Sequence, residues 1–200
     1  ITDENLELIN KLFINYKNKT KNCINKCYVN LINLHYDDEK LIESLSFLEI
    51  ARLEIVECNI NLNCLKNLCI KCLELPKTFI YDIEGICRIT TLQELDLSNH
   101  MNISNLIELK NANFRNLKKL NLSYNNIKNL YSIKMEQYGF CNLTHLDLSH
   151  NIIEDITPIE IAFKGLKFLN LTFNRIWDIK LMEHFIANYP DCSILYENGN

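Results

Sequence analysis

The sequence predicts an α/β solenoid in which about eight short parallel strands stack side by side in one continuous domain. Two observations predict this fold: an apolar pattern recurs at intervals of 20 to 26 residues, and phenylalanine recurs in step with part of it. A chain of 200 residues, 48% of them hydrophobic, is long enough to bury a continuous core. Each repeated unit cannot bury its apolar side alone, so neighbouring units must stack.

The apolar pattern is clearest in three copies of L-x-x-L-x-L-x-x-N-x-I, which begin at Leu117, Leu143 and Leu166. Weaker copies begin at Ile50, Ile70 and Leu92, and degenerate copies at Val29 and Tyr189. Each copy predicts a short strand whose apolar residues point inward while the residues between them point outward. The asparagine is expected to be buried and to satisfy backbone groups where the chain leaves the strand.

Three units lack this asparagine and must make the turn differently. Cys58, Thr78 and His100 stand in its place, and an extra residue before Ile103 predicts a local bulge near His100.

These copies resemble the leucine-rich-repeat family, whose repeat has this pattern. Phe47, Phe114, Phe140 and Phe163 each precede a copy by three residues and resemble the phenylalanine spine of the extracellular type of repeat. Asn67 and Ile89 interrupt that spine. The resemblance implies a curved solenoid with parallel strands on its concave face, usually the binding face. Short helices, 3-10 turns and loops are then expected on the convex side.

Both ends of the solenoid are expected to carry caps, because an open end would expose core. Residues 1–28 are predicted to form an N-terminal helical cap, with apolar residues at helical spacing over 3–16. Repeats are predicted over 29–188, and a degenerate last repeat with the C-terminal cap over 189–200. This cap would include a helix over 181–188, ended by Pro190, and an edge strand near 193–196. The alternative interpretation makes residues 1–28 a separate functional segment.

Carboxylates recur at the outward position between the two inner apolar residues of each strand. That position is predicted to hold Asn33, Glu54, Glu74, Asp96, Asn121, Asp147, Asn170 and Ser193. Adjacent strands lie about 4.8 Å apart, so Glu54, Glu74 and Asp96 would form an acidic ladder. A cationic partner would relieve their mutual repulsion. The alternative is an ordinary solvated strand face.

Aromatic side chains are predicted on the carboxy-terminal half of the same face, with Tyr196 as a further candidate at its end. Exposed aromatics are typical interface anchors, although Phe168 and Phe173 could instead tuck against neighbouring strands. We therefore expect a protein or peptide partner with basic and apolar groups. The predicted binding residues are Glu54, Glu74, Asp96, Tyr124, His145, Asp147, His150, Phe168 and Phe173.

Other classes of function lack their sequence signals. The formal net charge is −4 and no basic block is present, which disfavours nucleic-acid binding. No apolar run reaches the ~20 residues of a transmembrane helix. No phosphate-binding loop or nucleophile elbow is found, and His145 and His150 lack the third ligand of a zinc site. Neither an enzymatic activity nor a cofactor is expected.

The nine cysteines bear on the compartment. Cys64 and Cys87 precede adjacent units by six and five residues and are the candidate disulfide between neighbouring coils. Cys69 and Cys72 form a C-x-x-C whose spacing we interpret as accidental, because it falls on a strand. Two hypotheses follow: a secreted or surface recognition module, and an intracellular adaptor resembling leucine-rich-repeat proteins that regulate phosphatases or organise ribonucleoproteins. Five N-x-S/T sequons support secretion weakly, since those at Asn121 and Asn170 arise from the repeat itself.

Overall fold

The computed structural model describes residues 27–32, 39–59, 61–78, 80, 83–100, 103, 104, 106, 109, 112–131 and 140–197. The helix predicted over 3–16 lies outside these residues, as do Asn33 and the sequons at Asn18 and Asn102.

Eight strands form one parallel sheet whose order in space is their order along the chain. They are β1 (Cys27–Ile32), β2 (Glu49–Val56), β3 (Cys69–Glu74), β4 (Glu94–Asp96), β5 (Lys119–Asn121), β6 (His145–Asp147), β7 (Phe168–Asn170) and β8 (Ser193–Leu195). Each strand therefore adds one coil to a solenoid, and the predicted α/β leucine-rich-repeat architecture of about eight units is confirmed.

Short helices connect several of the strands. They are α1 (Glu39–Glu43), α2 (Glu84–Cys87), α3 (Thr157–Ala162) and α4 (Ile179–Asn188), with 3-10 helices at Ser44–Phe47 and Leu62–Leu65. The Asp178 side chain caps α4 by accepting a hydrogen bond from the Leu181 backbone N–H at 3.0 Å. α4 confirms the helix predicted before Pro190, extended by two residues at its start.

The inner apolar residues pair in register from coil to coil. Leu53, Leu73, Leu95, Leu120, Leu146 and Leu169 form one continuous row across β2–β7. These six side chains are at most 2% exposed and lie in a single core. The pattern of the six central copies therefore predicted their register correctly.

The register predicted for the first and last copies is wrong. In β1, Val29 pairs with Leu53 and Asn30 with Glu54, so Asn30, three residues earlier than predicted, occupies the outward position. In β8, Ile194 pairs with Leu169 and Leu195 with Asn170, which puts Leu195 and not Ser193 in that position. Both copies are degenerate, and apolar residues at neighbouring spacings fill the core equally well.

Asparagines stabilise the turn after the strand in three coils; Asn125 and Asn151 are buried, and Asn174 is partly buried. Asn151 donates to the carbonyl oxygens of Leu122, Leu148 and Ser149 at 2.9–3.2 Å and accepts from the Ile127 N–H at 3.0 Å. Asn125 and Asn174 make the corresponding four hydrogen bonds. The predicted role of this asparagine is confirmed.

The units without asparagine make different contacts at this turn, and His100 bonds there to the backbone of Leu75 and Thr78. The Thr78 hydroxyl donates to the Ile55 carbonyl at 2.7 Å, and the Cys58 thiol lies 3.1 Å from the Val56 carbonyl. His100 is 4% exposed, and its Nε2 has no hydrogen-bond partner among the described residues. Burial lowers the pKa of His100, because a charged imidazole is poorly solvated in the core.

Three phenylalanines stack on the side away from the strands. The ring centroids of Phe114, Phe140 and Phe163 are 5.7 Å apart at each step, with tilted and edge-to-face geometry. Ile89 is buried in the preceding coil, whereas Asn67 is exposed. The phenylalanine column is thus present in the carboxy-terminal coils.

Candidate protein-binding face

Two rows of outward side chains cover the sheet, and a third row lies at the turn. The first row is Tyr28, Arg52, Cys72, Glu94, Lys119, His145, Phe168 and Ser193; the second row is Asn30, Glu54, Glu74, Asp96, Asn121, Asp147, Asn170 and Leu195. The turn row is Glu57, Lys77, Asn99, Tyr124, His150 and Phe173. We call these three rows together the strand face.

Charged pairs occupy the amino-terminal half of the strand face. Arg52 contacts Glu74 at 2.5 Å. The negative charge of Glu74 raises the pKa of Arg52. Lys119 contacts Glu94 at 2.8 Å. In the turn row, Lys77 contacts Glu57 at 3.2 Å. All these pairs are substantially exposed, so each stabilises the fold by less than about 1 kcal/mol.

The predicted acidic ladder is present as a row, but the chain itself contacts each of its members. Glu54, Glu74 and Asp96 are consecutive partners across β2, β3 and β4. Asn30 donates to Glu54 at 3.1 Å, and Asn121 donates to Asp96 at 2.9 Å. The sequence prediction overlooked Arg52, although its position two residues before Glu54 places it on the same side of β2.

Aspartate and asparagine alternate along the second row from β4 to β7. Asp147 accepts hydrogen bonds from the Ser149 N–H and hydroxyl at 2.9 and 2.7 Å, and from the Asn170 amide at 3.2 Å. Asn121 makes the same contacts to the backbone and hydroxyl of Ser123 at 3.0 and 2.8 Å. Aspartate and asparagine therefore make the same contacts to the turn, whereas Asp147 adds a negative charge and a second oxygen that accepts from Asn170.

Aromatic rings occupy the carboxy-terminal half of the turn row. Tyr124, His150 and Phe173 all have left-handed backbone conformations, with φ of 55°, 52° and 56°. Their rings stack with centroids 3.9 and 4.1 Å apart and interplanar angles of 11° and 17°. Tyr124 and Phe173 remain 53% and 54% exposed. A bulky side chain is costly at positive φ, so this exposed stack is held at some expense of stability.

A second aromatic pair lies in the first row of the same coils. The rings of His145 and Phe168 stack with centroids 6.0 Å apart. Both residues line a concavity of 290 Å³ together with Glu74, Asp96 and Asp147. The structure therefore gathers five of the nine predicted binding residues around one concavity. Tyr124, His150 and Phe173 adjoin it in the turn row, and Glu54 lies further along the second row.

The carboxy-terminal end of the strand face differs from the prediction at one further residue. Tyr196 packs partly against the core, whereas Leu195 is 45% exposed. The alternation of inward and outward residues predicts this arrangement once the register of β8 is known.

Cys72 does not have the lowered pKa of a reactive thiol. Burial raises the pKa of Cys72 to about 11, and Glu74 acts in the same direction, so its thiol is protonated at neutral pH. Cys69 and Cys72 both lie on β3. Cys64 and Cys87 are buried on the Leu62–Leu65 helix and α2, which pack against each other. The disulfide between them stays a prediction.

Within the described part of the chain, no cluster of three or more His, Cys, Asp or Glu side chains has the geometry of a metal site. A search of the same residues finds no helix that is long and apolar enough to cross a membrane.

Residues 115–161 and 141–184 match the family described as leucine rich repeats (2 copies). Two solved structures from Listeria monocytogenes have the same fold. Internalin C2 is 25% identical with a TM-score of 0.60, the match covering 84% of this chain and 68% of that one. The internalin inlF is 23% identical with a TM-score of 0.57 over 74% of this chain, which spans only 41% of the inlF chain. The sequence matches none of the curated proteins significantly.

The repeat motifs, the eight-coil solenoid and the family match over residues 115–184 agree on one class of fold, the leucine-rich repeat. Domains of this family are typically protein–protein interaction modules without enzymatic activity.

Proposed function

We propose that the chain is a non-catalytic recognition module that binds a protein or peptide through the strand face. The observation that carries this proposal is the stack of Tyr124, His150 and Phe173, in which two rings are more than half exposed although all three are bulky residues at a turn position with positive φ. Exposed aromatics bordered by polar groups are typical of the anchors of a protein interface.

The residues proposed to contact the partner are those on the face that combine charge with aromatic surface. Their chemistry suits a partner with basic and apolar groups. They are Glu54, Glu74, Asp96, Tyr124, His145, Asp147, His150, Phe168 and Phe173.

Peptides selected from a random displayed library against the purified protein would test this proposal without knowledge of the natural partner. The selected peptides should bind the triple variant Tyr124→Ala, Phe168→Ala, Phe173→Ala about tenfold more weakly, or worse, as expected for loss of interface anchors. The control is Tyr131→Ala, Trp177→Ala, which removes two exposed aromatics outside the three rows. Equal binding to the triple variant and the wild type would refute the proposed face.

We also propose that the protein acts outside the cell or at its surface, with an intracellular adaptor as the alternative. A count of alkylated thiols in protein from its native source distinguishes them. A disulfide between Cys64 and Cys87 would support the first, and nine reduced cysteines would support the second.

A further inference from the structure

The charges of the strand face are unevenly compensated. Five carboxylates, Glu54, Glu74, Glu94, Asp96 and Asp147, lie in its first two rows. Arg52 pairs with Glu74 and Lys119 with Glu94, and Arg52 also interacts electrostatically with Glu54. In the part of the chain that the structure describes, no cationic side chain lies within 4 Å of Asp96 or Asp147. Two negative charges are thus left to the solvent or to a partner.

Asp147 differs from Asp96 in what stands on either side of it. The first-row residues beside Asp147 are His145 and Phe168, and the turn-row residues of the same coils are His150 and Phe173. Asp147 is therefore bordered by aromatic rings in both directions along its strand.

The surroundings of Asp96 are mixed. Glu94 and Lys119 stand in the first row next to it, and Asn99 and Tyr124 stand in the turn row of the same two coils. A partner's charge at Asp96 would meet an ion pair on the first-row side and a ring only on the turn-row side, so Asp96 lacks the first-row aromatic pair that borders Asp147.

The hydrogen bonds of Asp147 leave it able to accept one more. A carboxylate has about four lone-pair sites, and Asp147 uses three for Ser149 and Asn170. Its side chain is half-buried, so a cation placed there would be attracted through a medium of lower dielectric constant than water. Long basic side chains bury their aliphatic stems against apolar surface while their heads bind a carboxylate, and the flanking rings offer that surface.

Resting on the proposed function, we infer that Asp147 is the specificity-determining residue of the face and binds one basic side chain of a partner segment. The residues flanking that basic side chain are apolar and lie against the two aromatic pairs, His145 with Phe168 and His150 with Phe173. The carboxylates of β2 and β3 hold Arg52 and contribute less to the discrimination. The occupant is thus an extended segment with the pattern apolar, basic, apolar.

The probes are those selected peptides that bind the triple variant Tyr124→Ala, Phe168→Ala, Phe173→Ala more weakly than the wild type. Each Arg in them is replaced by citrulline, and each Lys by norleucine, which removes the charge with little change in shape. Asp147→Asn is the variant on the protein side. Asn at this position would still accept from the Ser149 N–H and hydroxyl, as Asn121 accepts from Ser123. Its NH2 would replace the oxygen that accepts from the Asn170 amide, so the free energy of unfolding of the variant is measured beside its binding. Glu183→Gln, an exposed carboxylate on α4 away from the face, is the matched control for net charge.

The neutral peptides and the Asp147→Asn variant should each weaken binding about tenfold or more, as expected for a charge-assisted hydrogen bond. Combined, they should weaken it little further, and Glu183→Gln should leave it unchanged. Titration calorimetry measures all four. Face-dependent peptides that lack basic residues, or that bind Asp147→Asn as tightly as the wild type, would overturn the inference and leave the proposed function standing. Selected peptides that bind the triple variant Tyr124→Ala, Phe168→Ala, Phe173→Ala as tightly as the wild type would refute both this inference and the proposed function.

Discussion

In the coils of β5, β6 and β7, an asparagine makes four hydrogen bonds where the chain leaves the strand, whereas the coils of β2, β3 and β4 have Cys58, Thr78 and His100 there. The strand face changes at the same place. Ion pairs cover its amino-terminal half, and stacked rings cover its carboxy-terminal half.

Residues other than glycine are strained at positive φ, and the surrounding structure has to fix the backbone there. Asn151 fixes the turn at His150 with hydrogen bonds from two coils, and the His150 N–H donates to the Thr172 carbonyl at 2.9 Å. The proposed aromatic surface therefore lies over the turns that the asparagines fix. In the other half, Glu57, Lys77 and Asn99 have the same backbone conformation without the asparagine.

The largest expected effect is at the buried asparagines. Asn151→Ala would leave several buried backbone groups without partners and should lower the free energy of unfolding by about 3 kcal/mol or more. Thr78→Val, which removes one strong hydrogen bond from a nearly identical shape, should cost only about 1 kcal/mol. Urea unfolding followed by far-UV circular dichroism measures both.

Hydrogen exchange of the backbone amides in each coil provides the control, because a solenoid can unfold in parts. Asn151→Ala should accelerate exchange around β5–β7 before β2–β4. Equal losses for Asn151→Ala and Thr78→Val would show that the two kinds of turn are energetically equivalent, contrary to the comparison.

A smaller effect is expected from His100 and depends on pH. Its folded pKa is lowered, so between that value and an unfolded pKa of ~6.5 only the unfolded chain binds the proton. The contribution of neutral His100 to the free energy of unfolding is therefore complete above about pH 6.5. It decreases as the pH falls towards the folded pKa, by up to ~1.4 kcal/mol per pH unit. His100→Asn should unfold with a smaller dependence on pH between 7 and 5. An unchanged dependence would mean that other groups cause the acid sensitivity.

The smallest effect is expected from the ion pairs of the amino-terminal half. A double-mutant cycle of Lys119→Met with Glu94→Gln should give a coupling within about 0.5 kcal/mol, because both side chains are about half exposed. High salt should reduce it further. A coupling above about 2 kcal/mol would show that charge stabilises this half as strongly as asparagine stabilises the other.

The repeat pattern predicted the central coils well and the end coils badly. Leu146 and Asn151 fit only one position of the repeat. The leucine fills the core, and the asparagine amide donates to backbone carbonyl oxygens of two coils. In β1, by contrast, Val29, Leu31 and Ile32 offer several apolar registers of similar quality. The pairing of β1 with β2 decides which of these registers is adopted. The same ambiguity in β8 is the reason why the sequence did not predict Leu195 at the outward position.

The sequence by itself determined the solenoid, the register of its central coils and the row that holds Asp147, because a repeated apolar pattern can be buried in only one way. The tertiary structure decided which charges are compensated and which rings stack. Arg52 and Glu74, or His150 and Phe173, are 22 and 23 residues apart in the chain and meet only because neighbouring coils pack in register.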